Sequence, residues 1–322
     1  MKKAYKVLST AALAATMLGG AAWGNAEAAA TKTAVTKTAV QKTENSKQAV
    51  IASATQGEIT LSATKAIHDG NHIQIIIERS GKELSGEITG KYDPELEDVI
   101  YAEGAINNLD VLIDGKPLHS LGNALADRPD LRWGTVGNDA IQISLSDASW
   151  LGKNIKPLPD KFKLTANVYL EGTKKPFKLN IPIQKSAEKP VVLQPNVTKT
   201  SGKMTMTLKK AALMSTSSRV QLILKGYEKN REEYQSISYD FVDDQGNKLE
   251  MISARGTDEN NKNDDMYYDF ILEKLDKDVK SITLKPYKPE FIEGNSGPYK
   301  LDSDGNVIKH YIEDLEMTFS VK

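Results

Sequence analysis

From residue 49 onward, hydrophobic and polar residues alternate in short runs that are separated by Gly, Asn and Asp. In FKLNIPI, residues 177–183, the large apolar residues occupy every second position, which is the period of a β-strand. LEMTFSV, residues 315–321, repeats the pattern. Pro182 lies on the polar face of its run and favours an edge or terminal strand. The pattern predicts an all-β chain of antiparallel strands.

Two halves of the chain open in a similar way. GEITLSATKAIHDGNHIQIIIE begins the first, GKMTMTLKKAALMSTSSRVQLILK begins the second, and proline and charge accumulate between the halves at Lys189-Pro190 and Pro195. Such a composition is typical of a domain boundary. Short strands with turns every 8 to 12 residues or so indicate sandwich domains of roughly 100 residues. We therefore predict two tandem immunoglobulin-like β-sandwich domains, residues 49–188 and 189–322.

The first 48 residues follow another pattern. A basic start with Lys2, Lys3 and Lys6 precedes an apolar stretch and the A-x-A spacing Ala26-Glu27-Ala28, which predicts a secretory signal peptide over residues 1–30, cleaved after Ala28 or Ala30. Residues 31–48, TKTAVTKTAVQKTENSKQ, contain a direct repeat and almost no large side chain, which predicts a flexible linker. We expect a secreted product, extracellular or associated with the cell wall, whose mature chain has no transmembrane segment.

Composition narrows the function classes. The chain has no cysteine, which excludes disulfides and thiolate chemistry, so core burial must stabilise a secreted fold. The formal net charge is −1, so there is no basic surface of the kind that nucleic acids require. The sequence contains none of the common nucleophile, zinc, phosphate-loop or dinucleotide motifs. We expect no catalytic residues, no cofactor and no nucleic-acid partner.

IHDGNHIQIII, residues 67–77, places His68 and His72 around Asp69-Gly70-Asn71. A zinc site needs three or four converging ligands, and the spacing indicates no third one. Gly and Asn suit the turn of a hairpin, so a turn is the favoured interpretation. We expect the two histidines to lie at the surface and to matter little for folding.

KLDSDGNVIKHYIE, residues 300–313, raises a similar question. Asp302, Asp304, Asn306 and Glu313 match positions 1, 3, 5 and 12 of a calcium loop. Val307 stands where that loop needs Gly, so a hairpin turn is favoured. The sequence leaves a weak calcium site near Asp302 and Asp304 as an open alternative.

Two acidic stretches are the candidates for contact with a partner. One is TGKYDPELEDVIYAEGAINNLD in the first half, and the other is GTDENNKNDDMYYDF in the second, which we predict to be a long hydrophilic loop. Trp133 and Trp150 are predicted to serve in packing. The acidic candidates are Asp93, Glu95, Glu97, Asp98, Asp258, Glu259, Asp264 and Asp265.

Several runs together resemble a known family. They are DGNHIQIII, KPFKLNIPI with KPVVLQPNVTKTSGKMTMTLKKAAL after it, YDFVDDQGNKLE and SITLKPY. They resemble a two-domain extracytoplasmic family of spore-forming Gram-positive bacteria, in which immunoglobulin-like domains of unknown function stand in tandem, often outside membrane-bound anti-sigma-factor-like proteins. The resemblance covers most of residues 50–322 and implies an extracytoplasmic location and an immunoglobulin-like fold. It supplies no catalytic residue, and a signal peptide stands where the membrane-bound members have a sigma-binding segment and a membrane helix.

The sequence therefore predicts a secreted, non-catalytic protein of the cell envelope or extracellular space, with a binding or structural role and an unknown extracellular or cell-wall ligand. One alternative is an ectodomain-like sensor or regulator related to anti-sigma-factor proteins. A second is an extracellular hydrolase with an unrecognised carboxylate site, since a fold alone does not decide function. Neither the ligand nor the oligomeric state can be inferred from the sequence.

Overall fold

A computed structural model describes residues 49–322 except for 83, 85, 123–126, 153–154, 236, 261–263 and 295–296, and leaves the side chains of 235 and 257–260 undescribed. The predicted signal peptide and linker lie outside the described residues. The fold is all-β, as the alternation predicts, and its strands pair antiparallel in two β-sandwiches. No helix in the described part of the chain is long and apolar enough to cross a membrane.

The N-terminal sandwich, domain 1, consists of two sheets. A five-stranded sheet has the order β1-β2-β3-β9-β8 and a four-stranded sheet the order β11-β10-β6-β7, while β4 and β5 form a separate two-stranded sheet among the described residues. A 3₁₀ turn covers Leu118–Ser120. The strands are β1 (Ala52–Gln56), β2 (Ile59–His68), β3 (Ile73–Ser80), β4 (Lys91–Asp93), β5 (Asp98–Ile100), β6 (Ile106–Ile113), β7 (Lys116–Pro117), β8 (Asp130–Thr135), β9 (Ala140–Ser146), β10 (Lys161–Leu170) and β11 (Phe177–Gln184).

The core of domain 1 lies between these two sheets. Ile75 of β3 and Ile143 of β9 are fully buried on one side, and Leu164 of β10 and Leu179 of β11 on the other. In β11 the apolar residues alternate with exposed ones, and the strand lies at the edge of its sheet, which accommodates Pro182 as predicted. Each fully buried Ile or Leu side chain stabilises the fold by about 1.5–3 kcal/mol.

The C-terminal sandwich, domain 2, also has two sheets. In the larger sheet the strands follow the order β12-β14-β15-β18-β17, with β13 also paired to β14; in the smaller one β19 pairs with β16, β20 and β21. Short 3₁₀ turns cover Glu228–Asn230 and Glu313–Leu315, and helix α1 covers Arg231–Gln235. The strands are β12 (Val191–Leu193), β13 (Val197–Ser201), β14 (Met204–Leu213), β15 (Ser217–Lys225), β16 (Ser238–Asp243), β17 (Met251–Asn260), β18 (Asp265–Glu273), β19 (Ser281–Pro289), β20 (Lys309–Tyr311) and β21 (Met317–Ser320).

The core of domain 2 is separate from that of domain 1 and is richer in aromatic rings. Phe270 of β18 makes edge contacts with Tyr239 and Phe241 of β16 and stacks on Tyr268, geometries that aromatic pairs favour. Two separate buried clusters, one in each sandwich, are the structural basis for describing two domains. Whether the boundary between residues 188 and 189 divides independently folding units stays a prediction.

Strand β15 is buried along almost its whole length, on both faces. Its apolar residues Val220, Leu222 and Leu224 belong to the core of domain 2. Alternation places Arg219 and Gln221 on the opposite face, and both donate hydrogen bonds to domain 1. The outer face of β15 is therefore in contact with the other domain.

Candidate functional site: a buried polar joint between the domains

The turn between β2 and β3 is tight, as predicted, but it is buried. Gly70 has a φ of +98°, and the Asp69 carboxylate accepts hydrogen bonds from the backbone N–H groups of Asn71, at 2.8 Å, and His72, at 2.9 Å. His68 is 7% exposed and His72 is 4% exposed. The expected surface position of the two histidines is therefore wrong: the His68 ring packs edge-on against Phe162 of domain 1, and domain 2 binds the turn residues between the two histidines.

Side chains of the turn cross into domain 2. The second oxygen of Asp69 accepts hydrogen bonds from the hydroxyls of Thr216, at 2.7 Å, and Ser217, at 2.5 Å. The Asn71 amide donates to the carbonyl oxygen of Ala212 and to the Ser217 hydroxyl, both at 3.1 Å. A turn of domain 1 is thus held at the start of β15 by buried polar groups that form hydrogen bonds with one another. We call this contact between the two domains, with the residues around it, the joint.

Arg219 of β15 is the central charge of this joint. Its Nε and Nη2 donate to the two oxygens of Asp269 on β18, at 2.8 and 2.6 Å, which is the bidentate geometry that arginine forms with carboxylates. The same Nη2 donates across the domains to the carboxylate of Asp147, at 3.2 Å, and to its backbone oxygen, at 3.1 Å. A buried cation therefore has carboxylates of both domains as partners.

Trp150 contributes an aromatic face to the joint. The ammonium of Lys210 lies 3.9 Å from its ring centroid and the guanidinium carbon of Arg219 lies 4.8 Å from it, so both cations attract the ring face. Gln221 donates to its backbone oxygen. The predicted packing role holds for Trp150, and the surface against which it packs belongs to the other domain. Trp133 packs against the core of domain 1.

Two edge strands also meet at the joint. Arg132 of β8 donates to the carbonyl oxygen of Ala254 in β17 at 2.8 Å, and the Ser253 hydroxyl donates to Asp130 at 3.1 Å. Arg255 donates to the carbonyl oxygen of Arg128 at 2.8 Å. These bonds place an edge strand of domain 1 beside an edge strand of domain 2.

The connecting segment is bound to both domains. The Ser186 N–H donates to the carbonyl oxygen of His68 in domain 1 at 2.7 Å. Glu188 accepts hydrogen bonds from the backbone N–H and hydroxyl of Ser215 in domain 2, at 3.0 and 2.5 Å. The connection therefore reinforces the contact between the domains.

The charges of the joint are strongly perturbed. Burial raises the pKa of Asp69, but His72, Ser217 and Thr216 outweigh burial and hold that pKa well below its ordinary range. For Asp147, burial is likewise outweighed, chiefly by Arg219, and the pKa is lowered. Burial lowers the pKa of His68. Charged carboxylates with donors on every side favour one fixed geometry, which is the property of an orienting contact.

A cavity of about 240 Å³ lies in domain 1 beside the joint. Charges of both signs line it, from Asp114, Lys116, Asp147 and Lys156. The Asp147 carboxylate is already engaged by Ser149, Leu158 and Arg219, so its hydrogen-bonding capacity is used within the protein.

The first predicted acidic stretch forms the β4–β5 hairpin. Its four acidic candidates lie within one short segment, and their recorded hydrogen bonds are local: Asp93 accepts from the N–H groups of Glu95 and Leu96, and Asp98 accepts from the N–H of Val99. The carboxylates lie beside exposed apolar side chains. The structure thus brings Asp93, Glu95, Glu97 and Asp98 together on the β4–β5 hairpin, which we also call the arm. These residues are distant in sequence from the residues of the joint.

The second acidic stretch is not the long loop that was predicted. Strand β17 continues through Asp258 and Glu259, and β18 begins at Asp265. Asp264 accepts a hydrogen bond from the N–H of Glu228 at 2.7 Å and so supports the neighbouring 3₁₀ turn. The polar residues of this stretch predict a loop, but polar residues also occur in the strands of antiparallel sheets.

The calcium candidate is a hairpin turn. Asp302 accepts hydrogen bonds from the N–H groups of Asp304 and Asn306, both at 2.9 Å, and Gly305 has a φ of +83°. The Asp302 carboxylate is thereby used to close the turn. Among the described residues, no group of three or more His, Asp or Glu side chains is arranged to hold a metal ion.

The sequence does not predict the joint, although the residues that form it interrupt the strand pattern. Arg219 and Gln221 interrupt SSRVQLILK on its non-core face, and Asp269 is the single charge within MYYDFIL. Lone charges within strand patterns are costly to bury without partners, so they mark a face that contacts something other than water. The sequence does not show that the partner is the preceding domain.

Comparison with known proteins extends the description. Residues 191–319 match a family described as "Family of unknown function (DUF5643)", a range that begins at the first residue of β12 and ends within β21. No curated protein matches the chain. A similar solved structure is "The crystal structure of the conserved domain protein from Bacillus anthracis", with 13% identity, a TM-score of 0.50, and coverage of 84% of this chain and 89% of that one. At this identity the likeness to the solved structure concerns the fold alone. The C-terminal sandwich is similar to a domain family whose function is unknown.

Proposed function

We propose that this chain is an exported, non-catalytic binding protein of the cell envelope, built from two immunoglobulin-like sandwiches held in one orientation. The observation that carries the proposal is the joint, in which Arg219 of one domain is bound by Asp147 of the other. Holding two domains at a defined angle is useful when both present surfaces to the same partner or polymer. The lysine-containing stretch at residues 31–48 would serve as the tether.

The acidic hairpin supports a binding role. It carries exposed Tyr92, Leu96 and Ile100 together with carboxylates, and contiguous exposed apolar residues rimmed by polar ones are typical of interaction sites. Binding residues commonly lie on loops and hairpins that a stable scaffold positions. The joint and the sandwich cores supply that scaffold.

Export and envelope association are tested directly. The full chain is produced in a Gram-positive host, and the medium, cell wall, membrane and cytoplasm are separated. We expect a product in the medium or wall fraction whose intact mass corresponds to a chain that starts at Ala29 or Thr31. A product that keeps Met1 and remains in the cytoplasm or membrane contradicts the proposal. Purified residues 49–322 should also co-sediment with isolated cell walls, with serum albumin as the control protein.

The fixed orientation has its own test, which uses the absence of cysteine. Exposed Lys178 of domain 1 and exposed Lys199 of domain 2 are each replaced by Cys and spin-labelled. Because the chain offers no other thiol, pulsed electron resonance reports one distance between the domains. A narrow distribution supports the fixed joint, and a broad one contradicts it.

A sensor is the second candidate, and the polar character of the joint favours it. Buried His68, Asp69 and Arg219 make the domain contact responsive to charge, so a ligand or proton that alters one of them shifts the orientation. The same distance measurement, repeated from pH 7.5 to pH 5, separates the two functions: a second discrete distance at low pH favours the sensor.

A further inference from the structure

The β4–β5 hairpin is a two-stranded sheet that joins neither sandwich within the described part of the chain. Its strands pair Lys91 with Ile100, Tyr92 with Val99 and Asp93 with Asp98. Each strand therefore has a neighbour on one side only, and its other edge presents backbone N–H and C=O groups. An unpaired edge of this kind is a template for another strand.

The base of the hairpin is firmly held. The buried Arg79 donates to the carbonyl oxygen of Gly104 at 2.8 Å and to that of Gly86 at 3.0 Å, and the Ile106 N–H donates to the carbonyl oxygen of Ile88 at 2.7 Å. These bonds lie on both sides of the hairpin where it leaves the sandwich. The arm is therefore presented in a defined place.

The side chains of the arm are unusually apolar for an exposed segment. Tyr92 is 59% exposed, Leu96 65%, Val99 38% and Ile100 49%. A two-stranded hairpin by itself is only marginally stable in water, and further strands or packing are needed to stabilise it. A third strand would supply both backbone hydrogen bonds and cover for these side chains.

The charge of the arm selects the kind of strand. Asp93 and Asp98 face each other across the pair, and like charges in that position are destabilising. Glu95 and Glu97 add two carboxylates at the tip, against one ammonium from Lys91. A second copy of this hairpin would bring more carboxylates to the same place, whereas a strand with Lys or Arg side chains would neutralise them.

We propose that the β4–β5 hairpin binds an extended cationic segment of another polypeptide by strand addition. The backbone edge provides hydrogen bonds, the apolar side chains contact alternate residues, and the carboxylates pair with Lys or Arg, which is the recognition mode of β-augmentation. This inference rests on the proposed binding function and identifies its partner as a basic, strand-forming polypeptide.

The test uses purified residues 49–322 and three fluorescein-labelled peptides of equal length. One peptide alternates Lys and Val, one alternates Glu and Val, and one alternates Lys and Pro, which keeps the charge but removes the N–H groups that a strand needs. Binding is measured by fluorescence anisotropy at low and moderate salt. We expect binding of the Lys-Val peptide, weakened by salt, with little binding of the other two.

Charge-reversal variants locate the site. Glu95→Lys/Glu97→Lys should weaken binding of the Lys-Val peptide by about tenfold or more, because attraction at the tip becomes repulsion. Asp276→Lys/Asp278→Lys makes the same charge change at two exposed positions of domain 2 and should leave the affinity within about twofold. Far-UV dichroism and thermal melts confirm that both variants are folded.

Three results would overturn the inference. They are equal binding of the Lys-Val peptide by wild type and the hairpin variant, equal binding of the Lys-Pro peptide, and a wild-type dimer that the hairpin substitutions abolish, since the last would identify a second copy as the occupant. If the wild type co-sediments with cell walls but does not bind the Lys-Val peptide, the strand-addition inference fails and the proposed function stands. If it does neither, the binding function itself fails.

Discussion

Arg219 of domain 2 donates to the carboxylate of Asp147 in domain 1 at 3.2 Å, and both residues are buried. The guanidinium is also held within its own sheet by Asp269. Three buried charges thus depend on one another, two from one domain and one from the other. Such a group contributes little net stability compared with apolar packing, but losing one member leaves the others uncompensated.

Arg219→Met should therefore destabilise the protein by about 3–5 kcal/mol, because it leaves Asp147 and Asp269 buried without their cation. Urea unfolding followed by tryptophan fluorescence measures the loss. Lys300→Met is the matched control: Lys300 forms an exposed pair with Glu290, and losing such a pair costs about 1 kcal/mol or less. Equal losses in the two variants would show that the buried network does not stabilise the fold.

A close approach between the domains gives the second prediction. A Cβ at Gly152 would lie 2.5 Å from the Tyr267 ring across the joint, whereas one at Gly115 would meet nothing within 4 Å. Both glycines have positive φ, +84° and +78°, so both Ala variants share a backbone cost of about 1–2 kcal/mol. We expect Gly152→Ala to lose about 1–3 kcal/mol more.

The readout for this pair is urea unfolding together with the interdomain distance between labels at positions 178 and 199. Gly152→Ala should displace or broaden that distance, and Gly115→Ala should leave it unchanged. If both variants behave alike, the domains do not approach as closely at Tyr267 as described.

The sequence predicts the all-β class because the alternation of a strand depends only on neighbouring residues, as in β11, where every second residue is buried. It also predicted the turn at Gly70, since only local backbone geometry is involved. It could not predict that His68 and His72 are buried, because the His68 ring packs against Phe162, almost 100 residues later, and Asp69 between them is bound by Thr216 and Ser217, almost 150 residues later. A contact between domains depends on two complementary surfaces, and the local sequence pattern of one surface does not identify the other.

The acidic candidates show the same limit. Asp93 and Asp98 were recognised as a charged stretch, but their cross-strand pairing and the exposure of Leu96 beside them require the structure. Asp264 had the same composition around it and instead supports a 3₁₀ turn. Charge in a sequence therefore indicates where polar residues lie, and the structure is needed to distinguish an exposed hairpin from a structural turn.

The protein should lose stability in mild acid. Burial lowers the pKa of His68 below its ordinary value of 6.5, so the unfolded chain binds more protons than the folded one as pH falls below that value. Stability is then greatest above pH 6.5 and declines from there toward the lower folded pKa. Asp69, whose pKa is also lowered, adds a loss only in stronger acid, below its ordinary value of 3.8 and toward its folded pKa.

Thermal melts of wild type between pH 7.5 and pH 5 should show this decline. His68→Gln should have a flatter profile over that window, although it is less stable at pH 7.5 because a buried hydrogen-bonding ring is lost. His119→Gln, at an exposed position, should follow the wild type. A wild-type profile that is flat from pH 7.5 to pH 5 contradicts a role for His68 in the pH dependence.

The buried apolar side chains of the described residues form two separate cores, one in each domain. Residues 49–188 and 189–322, expressed separately, should each unfold cooperatively, because each retains a complete sandwich that is large enough to bury its own core. Separation exposes Arg219 and Asp269 to water in one fragment and Asp69 and Asp147 in the other. Each fragment should therefore melt below the joined protein, whereas the acid loss that depends on His68 should persist in residues 49–188, because the His68 ring packs against Phe162 of the same fragment. Thermal melts with near-UV dichroism measure both effects. If neither fragment unfolds cooperatively while the joined protein does, the joint is part of a single folding unit and not a contact between two domains.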